Sequence, residues 1–308
     1  MKTFLINDKG WIPIPEWQPN CWINIQDPTQ EELEYLLNDL EVPASFLDDI
    51  EDPDERPRIE VEDGWRLIIL RIPIRPKSSM SYTTVPLGIM LKGEIVLTVC
   101  LHLSDMIPDF ILYTRRKQVE CEDAYDLMLQ LLLSSSVWFL KYLKQINISI
   151  KMAEVQLERS IRNQELQILM NMEKYLVFFI TSLKGNDILF HKIKNLKPQR
   201  DYFDRDLLDD VAVELKQAQE SANVYGDILS SMMDAYASVI SNNLNTVLHR
   251  LTVISIMLMV PTLVASFYGM NVPNFLEENK YAFYALAVGS CFLSAIVFVW
   301  YRKTVFKK

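Results

Sequence analysis

Residues 251–271 read LTVISIMLMVPTLVASFYGMN, and from Leu251 to Tyr268 this stretch carries no charge. A second uncharged run, YAFYALAVGSCFLSAIVFVWY, covers Tyr281 to Tyr301. At ~1.5 Å per residue, each run is long enough to cross a hydrocarbon core of ~30 Å. One such stretch also suits the buried helix of a soluble protein; two of them, paired towards the C-terminus, predict a membrane hairpin. Upstream, to about residue 245, charged and apolar residues mix as in a soluble protein, although the chain as a whole is 50% hydrophobic.

Basic residues set the orientation. His249 and Arg250 precede the first run, and Arg302, Lys303, Lys307 and Lys308 follow the second. The connecting loop holds Glu277, Glu278 and a single Lys280. The excess of positive charge therefore predicts both termini in the cytoplasm and a multi-pass protein of the cell (plasma) membrane. Tyr268, Tyr281, Trp300 and Tyr301 fall at the run ends, where aromatic belts form. Met1 to Ile6 is too short an apolar stretch for a signal peptide.

Composition excludes several function classes. Four cysteines (Cys21, Cys100, Cys121, Cys291) show no metal-ligand spacing and read as reduced core residues. Three scattered histidines argue against a zinc site or a histidine-based catalytic centre. There is no GxxxxGK[ST] phosphate loop and no nucleophile motif, so the expectation is a protein that is not an enzyme and needs no cofactor. A net charge of −9 disfavours nucleic acid as a partner and suits a surface that attracts cations.

Residues 1–121 read as a mixed α/β cytoplasmic domain. Trp65 to Pro73 and Thr83 to Val99 are rich in β-branched residues, with a hairpin turn at Lys92-Gly93. Thr29 to Leu40 has helical composition and opens on Thr29 with Glu32 three residues later, a capping box. A short helix is expected over Pro43 to Ile50, followed by an acidic loop from Glu51 to Pro57. Residues 122–203 form long cytoplasmic helices, Asp123 to about Ser160 and Gln164 to Ile193, before a break at Lys197-Pro198. Residues 204–250 are a stalk helix that runs without a breaker into the first span, 251–268. Residues 269–280 are the extracellular or periplasmic loop, 281–301 the second span and 302–308 a basic cytoplasmic tail.

In the stalk, Leu208, Val211, Leu215, Ala218, Ala222, Tyr225, Leu229, Met232, Tyr236 and Val239 recur every three or four residues. This heptad-like stripe reads as a bundle seam, part of it an intramolecular core face. Within the first span, Asn245, Leu248, Thr252, Ser255, Met259, Thr262 and Ser266 share one face, which holds most of the polar side chains. Either these hydroxyls bond to their own helix, as in many membrane helices, or they line a watery axis shared by several copies. The second span is bulkier, with Leu286, Val288, Phe292, Leu293, Ile296, Val297, Phe298 and Val299, and is placed outside against lipid. Pro261 removes a backbone donor and permits a kink. At the turn, Gly269 tolerates positive φ and close approach of chains. Asn271 offers an amide oxygen to water held around a cation, and magnesium sheds its waters reluctantly.

Tyr268-Gly269-Met270-Asn271, with Pro261-Thr262 before it and two terminal spans, resembles the CorA family of magnesium channels. Arg56-Pro57-Arg58-Ile59-Glu60 before the Trp65–Ile72 strand, Asp234-Ala235-Tyr236, and Ser241-Asn242-Asn243-Leu244-Asn245 are similar to further family patterns. The resemblance covers essentially the whole chain. It implies a funnel-shaped homopentamer with an α/β cytoplasmic domain and a long helical stalk. The pore would be lined by the first span, with Gly269, Met270 and Asn271 at its entrance. Thr262 would form a polar ring, and Met259, Leu251 and Leu248 a narrow apolar constriction. It further implies channel-like transport of divalent cations into the cytoplasm. The ions would be mainly magnesium, with cobalt or nickel as substitutes, driven by membrane potential.

Magnesium would be both substrate and regulatory ligand, with Asp209, Asp210 and Glu214 as candidate sensor carboxylates. The same three residues also suit a solvated helix start. The chain departs from the family pattern in placing Arg75 and Lys77 after the Trp65–Ile72 strand, and Val272 to Glu278 after the turn. A zinc-transporting or efflux relative is an alternative, although Met270 stands where the zinc branch typically has isoleucine. A membrane-anchored sensor or scaffold without conduction is another.

Overall fold

The computed structural model describes residues 1–76, 81–159, 163–195, 204–270 and 281–305, and divides into two compact units, Met1–Met232 and Met233–Lys308. The break at Lys197-Pro198 and residues Lys77, Asn271, Glu277, Glu278, Lys280, Lys307 and Lys308 fall outside the described residues.

The strands of the first unit are β1 (Lys2–Asn7), β2 (Trp11–Ile14), β3 (Trp22–Gln26), β4 (Arg58–Glu62), β5 (Trp65–Ile74), β6 (Thr83–Lys92) and β7 (Ile95–Cys100). They form one sheet in the order β2-β1-β3-β7-β6-β5-β4, with β3 and β7 parallel and every other pair antiparallel. The β6–β7 hairpin closes through Gly93 at φ +60 with Lys92 opposite Ile95, so the turn sits one residue beyond the expected Lys92-Gly93. Strand β5 is buried on both faces, which is why it reads as an almost continuous apolar run.

Helices α1 (Gln30–Glu34), α2 (Ala44–Glu51) and α3 (Met106–Lys117) flank the sheet. Thr29 Oγ1 accepts from Glu32 N while a Glu32 carboxylate oxygen accepts from Thr29 N, completing the capping box. The helix then widens into a π-helical turn over Tyr35–Asp39, placing Leu36 in the core with Val42, Phe46 and Ile50 against Trp65, Leu67 and Ile69. Helix α3 follows Ser104, whose Oγ accepts from Met106 N; Pro108 is tolerated in its first turn. The β1–β2 turn packs onto α3 through Gly10 at φ +115, where an added Cβ would lie 2.6 Å from the Arg115 backbone.

The unit is completed by α4 (Ala124–Arg159), α5 (Asn163–Asn195) and the start of α6 (Arg205–Tyr268). Asp204 Oδ1 accepts from Asp206 N and Leu207 N, so its carboxylate caps α6. The heptad-like stripe is buried at Leu208, Val211, Leu215, Ala218, Ala222 and Leu229. It loosens at Met232 and Tyr236 and is exposed at Val239. Gln219 Nε2 donates to Leu183 O, and the open side of Gly226 faces Ile180, so α6 runs antiparallel to α5 and parallel to α4.

Cys21 and Cys100 are buried, Cys121 is half-buried and Cys291 is exposed, so the core reading fails for Cys291, which sits on a span. Burial pushes the Cys100 thiol up to about 11, and burial with the Asp126 and Asp123 carboxylates pushes Cys121 up to about 12. At neutral pH both stay protonated and unreactive. Iodoacetamide is expected to leave these two thiols unmodified in the folded protein and to label them fully after denaturation, as read by peptide mass spectrometry.

Candidate cation pathway

The second unit contains the end of α6 and α7 (Ala282–Val305), two helices long and apolar enough to cross a membrane. Burial defines the face each turns to the other. On α6 the covered positions are Val253, Met257, Val260, Pro261, Val264 and Tyr268. On α7 they are Ala282, Leu286, Ser290, Ser294, Val297 and Tyr301. Leu286 and Val297 thus belong to the contact face, whereas Val288, Phe292, Leu293, Ile296, Phe298 and Val299 point outward as read from sequence.

One hydrogen bond explains how the pair is held. Pro261 lies inside the helix and has no N–H for the carbonyl four residues earlier, at Met257. Ser294 Oγ donates to that Met257 carbonyl at 2.9 Å, so α7 supplies the donor that the proline removed. Sequence reasoning found the proline but missed its partner. The signal was available, because an orphan carbonyl in lipid requires a donor and the second span contains two serines, Ser290 and Ser294.

The polar stripe lies elsewhere. Asn245, Leu248, Thr252, Ser255, Met259, Thr262 and Ser266 are all exposed. At 3.6 residues per turn their face stands roughly 160° around α6 from the face covered by α7. Leu251 is also exposed. Thr252 Oγ1 donates to Leu248 O at 2.9 Å, Ser255 Oγ to Leu251 O at 2.9 Å and Thr262 Oγ1 to Leu258 O at 2.7 Å. The two readings of these hydroxyls are therefore compatible. Each spends its single proton on its own helix, and its oxygen is left with acceptor capacity facing outward. Acceptors are what the outward-pointing protons of a hydrated cation require.

Gly269 continues the helical bonding, with its N–H 2.9 Å from Ala265 O, and Met270 N lies 3.4 Å from Phe267 O. Gly269 does not use the positive φ that it tolerates; the glycines with positive φ among the described residues are Gly10, Gly64 and Gly93. A Cβ at Gly269 would instead lie 3.3 Å from Ala265 O, so crowding at the last carbonyls is the constraint there. Asn271 lies outside the described residues.

Upstream, every side chain from Ala237 to Thr252 is exposed, including Val239, Ile240, Leu244, Val247, Leu248 and Leu251. Of the sensor candidates, Asp209 and Asp210 are exposed and Glu214 is half-buried. Arg75 is half-buried, its guanidinium 5.4 Å from the Tyr82 ring centroid. Among the described residues no group of three or more His, Cys, Asp or Glu side chains is placed to hold a metal ion.

Residues 17–303 match the model of a family described as CorA-like Mg2+ transporter protein. The cobalt/magnesium transport protein CorA of Methanocaldococcus jannaschii is 26% identical over 257 residues, covering 81% of this chain and 79% of that protein. The protein of the same name from Thermotoga maritima is 21% identical over 299 residues, covering 95% of this chain and 84% of its own. The complete structure of the M. jannaschii CorA magnesium transporter superposes with a TM-score of 0.79 over 97% of both chains at 22% identity, a likeness of fold.

Proposed function

The chain belongs to the CorA-like Mg2+ transporter family, a family of membrane transporters of divalent cations, and from that premise we propose that it conducts magnesium passively into the cytoplasm, with cobalt or nickel as substitutes. The observation that carries this reading is the exposed polar stripe on the side of α6 turned away from α7. Two spans cannot enclose water by themselves, so the stripe gains a function only when several copies place it around one axis. The uncovered apolar side chains between Val239 and Leu251 support the same assembly, since an unpartnered run of that kind is unusual on an isolated chain. We assign that assembly as a homopentamer in the plasma membrane, with both termini cytoplasmic.

In this arrangement Gly269, Met270 and Asn271 form the entrance, and the amide of Asn271 meets the ion through its water shell. Thr262, Ser255 and Thr252 present back-bonded hydroxyl oxygens along the axis. Met259, Leu251 and Leu248 form apolar rings that gate by dewetting. A divalent ion falling through about 100 mV, negative inside, gains roughly 4.6 kcal/mol, so no nucleotide is required. Asp209, Asp210 and Glu214 are the proposed sensors of intracellular magnesium.

The test is magnesium flux into proteoliposomes. Wild-type protein is expected to carry it, and Asn271→Ala to lose it by about tenfold or more, because a methyl group leaves the hydrated ion without an acceptor at the mouth. Equal flux in the two proteins would remove the hypothesis.

A further inference from the structure

Two exposed helical faces of the first unit match each other in shape and charge. On α4, Val137, Lys141, Lys144, Ile148, Lys151, Met152 and Val155 are all exposed and fall within an arc of about 100°. The arc contains four large apolar side chains and three lysines. On α6, Val213, Val224 and Ile228 share an exposed arc of similar width with Asp206, Asp209, Asp210, Glu220 and Asp227. The apolar members of both arcs are 46% to 62% exposed, too open for core positions. Each arc lies on the far side of its helix from the buried positions, Phe139, Ile146 and Ala153 on α4, and Val211, Ala218 and Leu229 on α6.

We propose that these faces dock on each other between neighbouring copies of the chain, α4 of one copy against α6 of the next, with the helices parallel. The inference rests on the assembly proposed above and supplies its cytoplasmic contact. Spacing carries it. Val137 and Ile148 are separated by the same interval as Val213 and Val224, and Ile148 and Met152 by the same interval as Val224 and Ile228. Setting Val137 against Val213 therefore sets Ile148 against Val224, with Met152 and Ile228 at one height on opposite flanks of the seam. The same register brings Lys144 to Glu220 near the middle of the seam.

An antiparallel arrangement pairs Val137 with Ile228 and Met152 with Val213 but sets Ile148 against Gln217 and Lys141 against Val224. Direction is also fixed by the fold, because α4 and α6 run parallel within one chain. Rotation about an axis along the bundle preserves that direction from copy to copy. Such a contact is heterologous, the kind that closes rings. Glu220 also lies 3.9 Å from Lys216 of its own helix, an exposed pair that leaves its carboxylate capacity for a second lysine.

The experiment uses full-length protein with Cys291→Ser, in detergent and in liposomes. Ile148→Cys with Val224→Cys is expected to give, on mild oxidation, a ladder of covalent oligomers on a denaturing gel. Val137→Cys with Val224→Cys, displaced by ~16 Å along the helices, is expected to give none. Adding Lys144→Glu to the productive pair should cut the ladder by about tenfold, and adding Glu220→Lys as well should restore it. An intact oligomer by light scattering without any ladder from the in-register pair, or equal ladders from both pairs, overturns the docking while leaving the assembly standing. A monomer by light scattering overturns both.

Discussion

A cysteine at Thr262 is expected to turn the protein into one that a positively charged methanethiosulfonate reagent shuts, with magnesium flux falling by about tenfold or more. Thr262 is exposed and lies on the side of α6 turned away from α7, so in the proposed assembly its side chain faces the axis. A fixed positive charge there meets a divalent ion at close range. At about 4 Å, and with an effective dielectric near 20, the repulsion is roughly 8 kcal/mol, several times the 1.4 kcal/mol that a tenfold effect requires. Ile254 supplies the control. It is 53% exposed, yet it lies on neither the polar stripe nor the α7 contact, which leaves it for lipid. Ile254→Cys should carry ions at the same rate before and after treatment. Native thiols do not confuse the measurement once Cys291 is replaced by serine, because Cys21 and Cys100 are buried and the Cys121 thiol is held protonated. Inhibition at both positions, or at neither, would mean that the stripe does not line the path.

What was legible in the sequence follows from the range of the forces involved. Helix α6 and the spans were readable because their signals are local: uncharged runs, a three-and-four periodicity and a single proline. The Thr29 capping box and the β6–β7 turn are equally local, each decided within a few residues. The strands β1 to β4 were hard to place because they are short. The parallel rung between β3 and β7 joins Ile23 to Leu97, a pairing that no nearby residue announces. Helix α3 was masked by Pro108 and by a polar start at Ser104-Asp105.

For the pathway, sequence located the stripe, but only the burial pattern shows which side of α6 is occupied by α7. The hydroxyl bonds to Leu248, Leu251 and Leu258 show where the protons of Thr252, Ser255 and Thr262 go, which the sequence pattern left open. The Ser294–Met257 bond depends on the register of two helices, which composition does not encode.

Asn186→Leu is expected to lower the melting temperature of the detergent-solubilised protein by on the order of 10 °C, the largest stability loss anticipated for a single side chain of similar volume. Strand β4 ends at Arg58 opposite Ile69, and Pro57 cannot extend the ladder as a donor. On its other side Arg71 faces Pro86 of β6, which also lacks an N–H, so the peptide groups of Arg71 turn towards the vacant β4 side. Asn186, on α5 and 1% exposed, fills that rung. Its Oδ1 accepts from Arg71 N at 2.9 Å and its Nδ2 donates to Arg71 O at 2.8 Å. Leucine offers neither group, and a buried N–H left unpaired costs about 1–3 kcal/mol before the lost bond to the carbonyl is added.

The loss spreads because the Arg71 side chain is also committed. Its guanidinium donates to Pro53 O, to Glu55 O and to both oxygens of Thr84, so a shifted Arg71 backbone loosens the acidic loop as well. It also reaches α6, since α5 holds that helix through the Gln219–Leu183 bond. Thr181→Val is the matched control on the same helix. Its exposed hydroxyl bonds only to Val177 O of its own turn, and its loss should move the transition by about 1–2 °C at most. Similar small shifts for both variants would show that solvent or a neighbouring hydroxyl, such as Ser135 at 3.1 Å from Arg71 O, serves the rung in place of Asn186.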